Sequence, residues 1–374
     1  VHDVKTTIIT AAVLVGAFTT LPVAQAGTLV PITPIPDSIA MTVEEINDNN
    51  VIAGFYETAD GNEHGFVGPL NGTYETFDFG TSNMTIVHGL NNDGYLTGTS
   101  ANESGFIIGE EFSRRPNGAL SPVTKGGTPL DGFANGITNH AKFVGDDWVI
   151  DINGHLTVYG YYGKGETYRA DLVLPFNTDR TRPRGLNKHG EVAGYFHNLD
   201  RPDEFYFGFV LKDGVATEVA YPDPTTYVTY FYGLNDKGAI VGGWQDENQD
   251  TLQAFLYDFD RNAFKPIDVP GATFVIATGI NNAGLVAVTD DSTASAKAYI
   301  YCSKRKQECP TGGRTAIDVP DRWISAPAGN RHSIVCADGC SRPGSVSPAG
   351  GRADRALIRA AIERDPTLRL ELSR

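Results

Sequence analysis

Apolar and polar residues in this chain alternate with a period of two, in short runs broken by stretches rich in glycine, asparagine and aspartate. Glu191-Val192-Ala193-Gly194-Tyr195-Phe196 is typical: β-branched and aromatic residues at alternate positions favour a strand with one buried face. Helices would need uninterrupted apolar residues at spacings of three and four, and 42 glycines and 21 prolines leave little room for them. The pattern predicts an all-β protein.

The breaks are not random. The phrase Gly-Leu-Asn-Asn-Asp-Gly-Tyr-Leu-Thr-Gly at Gly89 to Gly98 returns at Gly185 to Gly194 and at Gly233 to Gly242, with weaker copies starting at Glu45, Gly136 and Gly279. Its third residue marks the copies as Asn47, Asn91, Thr138, Asn187, Asn235 and Asn281, in steps of 44, 47, 49, 48 and 46 residues. Asn suits the first position of a type I turn and Gly the fourth, where a left-handed backbone costs glycine little. The phrase therefore reads as a hairpin turn. Thr138-Asn139-His140-Ala141 departs most from it, which predicts a different turn in that copy.

Within each period an alternating run follows the phrase, then a polar loop such as Asp246-Glu247-Asn248-Gln249-Asp250. A third segment carries a small residue before an aromatic one: Gly65-Phe66, Gly105-Phe106, Gly208-Phe209, Ala254-Phe255 and Ala298-Tyr299. A fourth segment, as in Phe264 to Pro270, ends the unit. Four short strands per period of forty-odd residues is one propeller blade. The fold class is all-β, a β-propeller of six four-stranded blades, with a partial seventh from Gly329 as the alternative. Ring closure has two candidates, Thr28 to Pro36 at one end and Ala316-Ile317-Asp318-Val319-Pro320 at the other.

Gly279-Ile280-Asn281-Asn282-Ala283-Gly284-Leu285-Val286, the small-aromatic pairs and Asp268-Val269-Pro270-Gly271-Ala272 together resemble the HAF family of probable extracellular repeats of bacterial exported proteins. The resemblance covers 32–320. It implies export and a propeller-like fold, and brings no catalytic residues with it.

Lys5 followed by an apolar run from Ile8 to Leu21 and by Ala24-Gln25-Ala26 matches a secretory signal with its cleavage site. The expected organisation is a signal peptide over 1–26, the propeller over 27–320 and a Cys-containing, Arg-rich extension over 321–374, weakly structured or with a short helix around Ala353 to Ile362. The run is too short for a stable membrane span, so the expected location is secreted or periplasmic. There Cys302, Cys309, Cys336 and Cys340 can form disulfides, with three connectivities open. A net charge of −15 argues against nucleic acid as a partner.

Candidate chemistry falls on the face that carries the loops between second and third strands. That face would collect Arg180, Arg182 and Arg184, the aromatic run Tyr227, Tyr230, Phe231 and Tyr232, and the acidic loops Asp60-Gly61-Asn62-Glu63-His64, Asp200 to Glu204 with Asp203, and Asp246 to Asp250. Aromatic rings beside charged groups suit sugars, because rings stack while charges hold hydroxyls. Against this, half of the aromatics should point into the core by strand alternation, and charged hairpin loops are ordinary solvated turns. Asp246-x-Asn248-x-Asp250 imitates the start of a calcium loop, but Thr251 occupies the glycine position and Tyr257 the twelfth, so a complete EF-hand is excluded. A looser Ca²⁺ site from that loop and a neighbour stays open; no other cofactor is expected. Ser303-Lys304-Arg305-Lys306 matches S-x-x-K without its partner motifs, and the histidines are scattered among different units. The expected function is a secreted binding or scaffold module for an extracellular glycan or protein. The alternatives are a polysaccharide hydrolase or lyase using carboxylates on the same face, and a purely structural repeat protein.

Overall fold

A computed structural model describes residues 27–343, except 71, 102–108, 152–154, 202–205, 249–250, 304–308, 311–313 and 337–339. The expected signal sequence and the stretch from Ala353 to Ile362 lie outside the described residues. The chain forms a six-bladed propeller. Blades 1 to 5 start at the strands Ser38–Ile46, Met84–Leu90, Gly132–Ile137, Thr181–Leu186 and Thr226–Leu234, and each continues outward through three further antiparallel strands. Blade 6 takes Val275–Ile280, Leu285–Asp290 and Lys297–Cys302 from its own repeat and Gly27–Pro31 from the beginning of the described chain. The first strands of successive blades touch one another in a closed cycle.

Of the two closure candidates, the N-terminal strand completes blade 6, with Thr28 opposite Cys302. Ile317–Val319 then adds a fifth strand outside it. The chain continues along the rim. Ile324–Ser325 pairs with the outer strand of blade 5, Arg331–Val335 with that of blade 4 and Ser341–Pro343 with that of blade 3. Gly329 thus opens no seventh blade: it sits in a single 3₁₀ turn between two rim strands. The described part of the segment after Pro320 is likewise not a loose extension, because its backbone pairs with strand edges that would otherwise be open. The cysteines pair locally, Cys302 with Cys309 and Cys336 with Cys340.

The repeated phrase is the turn between the first and second strands of each blade. The marker's N–H donates to the carbonyl four residues on, and the N–H three residues on donates back to the marker's carbonyl. This holds for Asn91 with Tyr95 and Gly94, and equally for Thr138 with Lys142 and Ala141. The divergent copy therefore keeps the common turn. The fourth position is left-handed in all six, with φ of 56° at Asn50, 83° at Gly94, 52° at Ala141, 82° at Gly190, 75° at Gly238 and 80° at Gly284. A type I turn followed by a left-handed residue is a standard short hairpin connection.

Each marker asparagine does two jobs. Its Oδ1 accepts two N–H groups of its own turn, and its Nδ2 donates to the marker carbonyl of the next blade. These inter-blade bonds run Asn47 to Asn91 (3.0 Å), Asn91 to Thr138 (2.8 Å), Asn187 to Asn235 (3.2 Å), Asn235 to Asn281 (3.0 Å) and Asn281 to Asn47 (3.1 Å). Thr138 has no amide to give, so the ring of bonds is interrupted between blades 3 and 4.

Between blades lie apolar layers, such as Val30, Met41, Val43, Phe66 and Ile300 between blades 6 and 1. The small-aromatic pair serves these layers. Phe66, Phe209 and Phe255 are fully buried, while a Cβ added to Gly208 would stand 2.9 Å from the Phe231 ring of the next blade. Phe106 lies outside the described residues.

Candidate functional site

In every blade the ladder between first and second strands slips by a residue or two just before the turn. The slips fall between Val43 and Glu45, Val87 and Gly89, Ala134 and Ile137, Pro183 and Gly185, Phe231 and Gly233, and Ala277 and Ile280. A bulge adds an unpaired residue and re-aims its side chain. The phrase supplies the room for it: a Cβ on Gly98, Gly194 or Gly242 would meet the carbonyl of Ile86, Arg182 or Tyr230 at 2.2 Å or less. Three residues before each turn marker the bulge carries Glu44, His88, Asn135, Arg184, Tyr232 and Thr278, in blade order. Because the six positions are equivalent in the fold, these residues form a ring around the propeller axis.

Five of the six, all but the buried Asn135, form the inner end of a cavity of about 290 Å³. Alternation along the first strands puts the residues two positions earlier in the next layer: Thr42, Ile86, Phe133, Arg182, Tyr230 and Ile276. Ala40, Met84 and Phe274 follow. Glu57, Gly61, Glu63 and Asp291 stand toward the opening, on the loop side expected from the sequence. The turn phrases surround a separate, smaller hollow at the other end of the axis.

The polar groups are arranged in pairs. Glu44 Oε2 stands 3.8 Å from His88 Nδ1. Burial holds the His88 imidazole below its ordinary pKa, against the pull of Glu44, so the ring is neutral at pH 7. Among the described residues neither ring nitrogen of His88 has a hydrogen-bond partner. Arg184 Nη1 donates to Asn135 Oδ1 at 3.0 Å, and Asn135 Nδ2 donates to Asp146 Oδ2 at 3.1 Å. Trp148 Nε1 donates to the other oxygen of Asp146. Asp146 is fully buried, and burial raises its pKa even though Arg182, Arg184, Trp148 and Asn135 all act to lower it. The Arg182 guanidinium lies 4.4 Å from the Trp148 ring, and that of Arg184 lies 4.9 Å from the Tyr232 ring. At the opening, Glu57 and Glu63 face each other across a hairpin. Burial, with repulsion from Glu57 second, pushes Glu63 up to about 7.

Of the residues singled out in the sequence, Arg182, Arg184, Tyr230 and Tyr232 line the cavity, with Gly61 and Glu63 of the first acidic loop at its opening. Arg180 is buried beside Tyr206, with Nη1 3.3 Å from its hydroxyl, and does not line it. Tyr227 packs into the cluster of Tyr195, Tyr206 and Val228. Asp246 ends the second strand of blade 5 and accepts the Asn248 N–H at 3.2 Å. Asp203 and Asp250 lie outside the described residues. Among the described residues no group of three or more histidine, cysteine or acidic side chains could hold a metal ion.

Glu44, His88, Asn135 and Thr278 were not singled out as site residues, although a signal for them exists. Aligning the six copies on the turn marker puts all of them in one column, where every copy differs.

No family model matches the chain, and no curated protein matches it in sequence. Several solved structures are distantly similar to it. The Aleuria aurantia lectin in complex with alpha-methyl-L-fucoside is 11% identical at a TM-score of 0.44, over 80% of this chain and 99% of that one. Virginiamycin B lyase from Staphylococcus aureus is 11% identical at 0.38, over 73% and 98%. The Bombyx mori beta-fructofuranosidase is 8% identical at 0.25, over 79% and 82%. The likeness is one of fold.

Proposed function

We propose that this chain is an exported binding propeller that takes the end of a saccharide into its axial cavity. One observation carries the reading: five of the six equivalent bulge positions present to the cavity a carboxylate, an imidazole, a guanidinium, a phenol and a hydroxyl. Side chains serving only the ring would be expected to repeat, as the marker asparagines do. A set of different donors and acceptors around one axis, with Phe133, Tyr230 and Phe274 as apolar surface, suits a ligand with hydroxyls on several sides of a compact ring. The volume, near the lower end of the ~300–1,000 Å³ of small-ligand sites, suits a terminal residue rather than a threaded chain. Two disulfides are compatible with an oxidising compartment. Among the described residues no helix is long and apolar enough to cross a membrane.

The test is a glycan array on the full chain, with and without Ca²⁺, repeated on Tyr230→Ala. Binding to a defined subset of glycans that is lost in the variant supports the axial site. A blank array, or binding indifferent to Tyr230, refutes it. The hydrolytic alternative draws on one feature, the Glu57–Glu63 pair, since a carboxyl raised to about 7 is suited to proton transfer at neutral pH. Release of reducing ends, abolished by Glu63→Gln, would favour that reading over pure binding.

A further inference from the structure

Arg184 is a half-buried cation with no counter-ion in contact. Its one hydrogen bond among the described residues goes to a neutral amide, Asn135, and its other close neighbours are the rings of Tyr232 at 4.9 Å and Phe133 at 5.7 Å. No carboxylate of the described residues lies within ion-pair distance of it. A guanidinium has five N–H donors, so Arg184 holds several in reserve where it borders the cavity. It is also fixed in place. Asn135 is anchored on Asp146 and on the Pro183 carbonyl at 2.9 Å, and Asp146 in turn is held by Trp148. Asp146 acts on Arg184 only through space, one residue removed, and a pre-positioned guanidinium with open donors is the usual way of holding a carboxylate.

The opposite wall has the complementary character. Six blades close the ring, so blade 4 faces blade 1, and across the axis from Arg184 stands Glu44, with Glu57 and Glu63 above it. Carboxylates accept hydrogen bonds and repel an anion. A ligand filling the space would therefore place its negative group at Arg184 and its hydroxyl donors at blade 1.

We propose that the occupant of the axial cavity is a sugar acid, its carboxylate on Arg184 and its hydroxyls toward Glu44. This rests on the saccharide reading above and names the class of sugar. Phe133 and Tyr232 flank the guanidinium at 5.7 and 4.9 Å, an apolar setting that strengthens a charge-assisted hydrogen bond.

Calorimetric titration of the full chain with D-glucuronate, D-galacturonate, D-glucose, D-galactose and benzoate tests this. The uronates should bind about 10- to 100-fold tighter than the neutral hexoses, the range expected of a charge-assisted hydrogen bond. Raising the salt concentration should shrink the ratio. Arg184→Met should bring the uronates down to the level that the neutral sugars show in the same variant. Arg184→Lys should give an intermediate ratio, and with the salt series on the unaltered chain it keeps the test decisive if Arg184→Met does not fold. Equal affinity for uronates and hexoses overturns the sugar-acid assignment and leaves the saccharide reading standing. Binding of neither overturns both, and binding of benzoate without any sugar overturns both in favour of a non-sugar carboxylate.

Discussion

Asn281 is the amide that closes the ring, and removing it should weaken the whole propeller. The residue is 3% exposed. Its Oδ1 accepts the N–H groups of Ala283 at 3.0 Å and Leu285 at 2.9 Å, and its Nδ2 donates to the Asn47 carbonyl of blade 1 at 3.1 Å. Asn281→Ala deletes all three bonds. At about 1 kcal/mol net for each, and more wherever a buried partner is left unsatisfied, the loss is roughly 3 kcal/mol. Asn49→Ala, which removes one exposed bond to the Asn92 carbonyl, should cost well under about 1 kcal/mol and serves as the control.

Asn281→Asp separates the two jobs of the side chain. It keeps the turn acceptors and replaces the inter-blade donor with a carboxylate oxygen facing a carbonyl. That arrangement favours the protonated acid, so the folded-state pKa of the new group should lie above its unfolded value near 3.9. The variant should then approach the unaltered chain in stability below about pH 4, and lose ground as the pH rises through the folded-state value. Urea unfolding followed by tryptophan fluorescence at several pH values measures both effects. An Asn281→Ala midpoint as close to the unaltered one as that of Asn49→Ala would refute the view that these amides hold the ring together.

Ala141 holds a φ of 52°, where four of the other five turns have glycine. Ala141→Gly should therefore stabilise by up to about 1 kcal/mol, read as a raised urea midpoint; an unchanged or lowered midpoint would show that the strain is absorbed elsewhere. Glu63, raised from 4.5 to about 7, should make the unaltered chain lose stability as the pH climbs between those values, at no more than about 1.4 kcal/mol per unit, because the folded state then holds the proton more tightly than the unfolded one. Glu63→Gln should flatten that slope, and a pH profile identical to that of the unaltered chain would contradict the raised value.

The repeat was legible because its residues do the same work in every blade. The marker asparagine, the left-handed fourth position and the small-aromatic pair each meet a demand of backbone or core that recurs six times. Their spacing therefore reveals the blade count and the turn. The site was legible only in part, for the opposite reason. Glu44, His88, Asn135 and Thr278 stand at one position of the repeat but share no chemistry, so a comparison that looks for recurrence passes over them. Arg182, Arg184, Tyr230 and Tyr232 were visible because they lie in conspicuous basic and aromatic runs. Arg180 and Tyr227 lie in the same runs and have a structural place instead, since alternation and local packing decide which side chains reach the axis. The rim strands were obscured for a third reason. Segments as short as Ile324–Ser325 have no periodicity to read, and they become strands only because a blade edge is there to pair with.

The bulge is what lets scaffold and site share a strand. It releases one residue per blade from ladder pairing, so that residue can change without disturbing the sheet, while the glycines and asparagines around it cannot. In blades 3 and 6 the bulge residue also serves the ring: Thr278 Oγ1 of blade 6 donates to the Val43 carbonyl of blade 1 at 2.8 Å. Thr138 cannot continue the inter-blade amide bonds, and Asn135 takes over by donating to the Pro183 carbonyl of blade 4. The same side chain accepts from Arg184 and leans on Asp146. One asparagine therefore ties the seam between blades 3 and 4 to the only arginine of the bulge ring. In the most divergent repeat the bulge residue thus holds the seam to blade 4 and positions a guanidinium of the cavity with the same side chain.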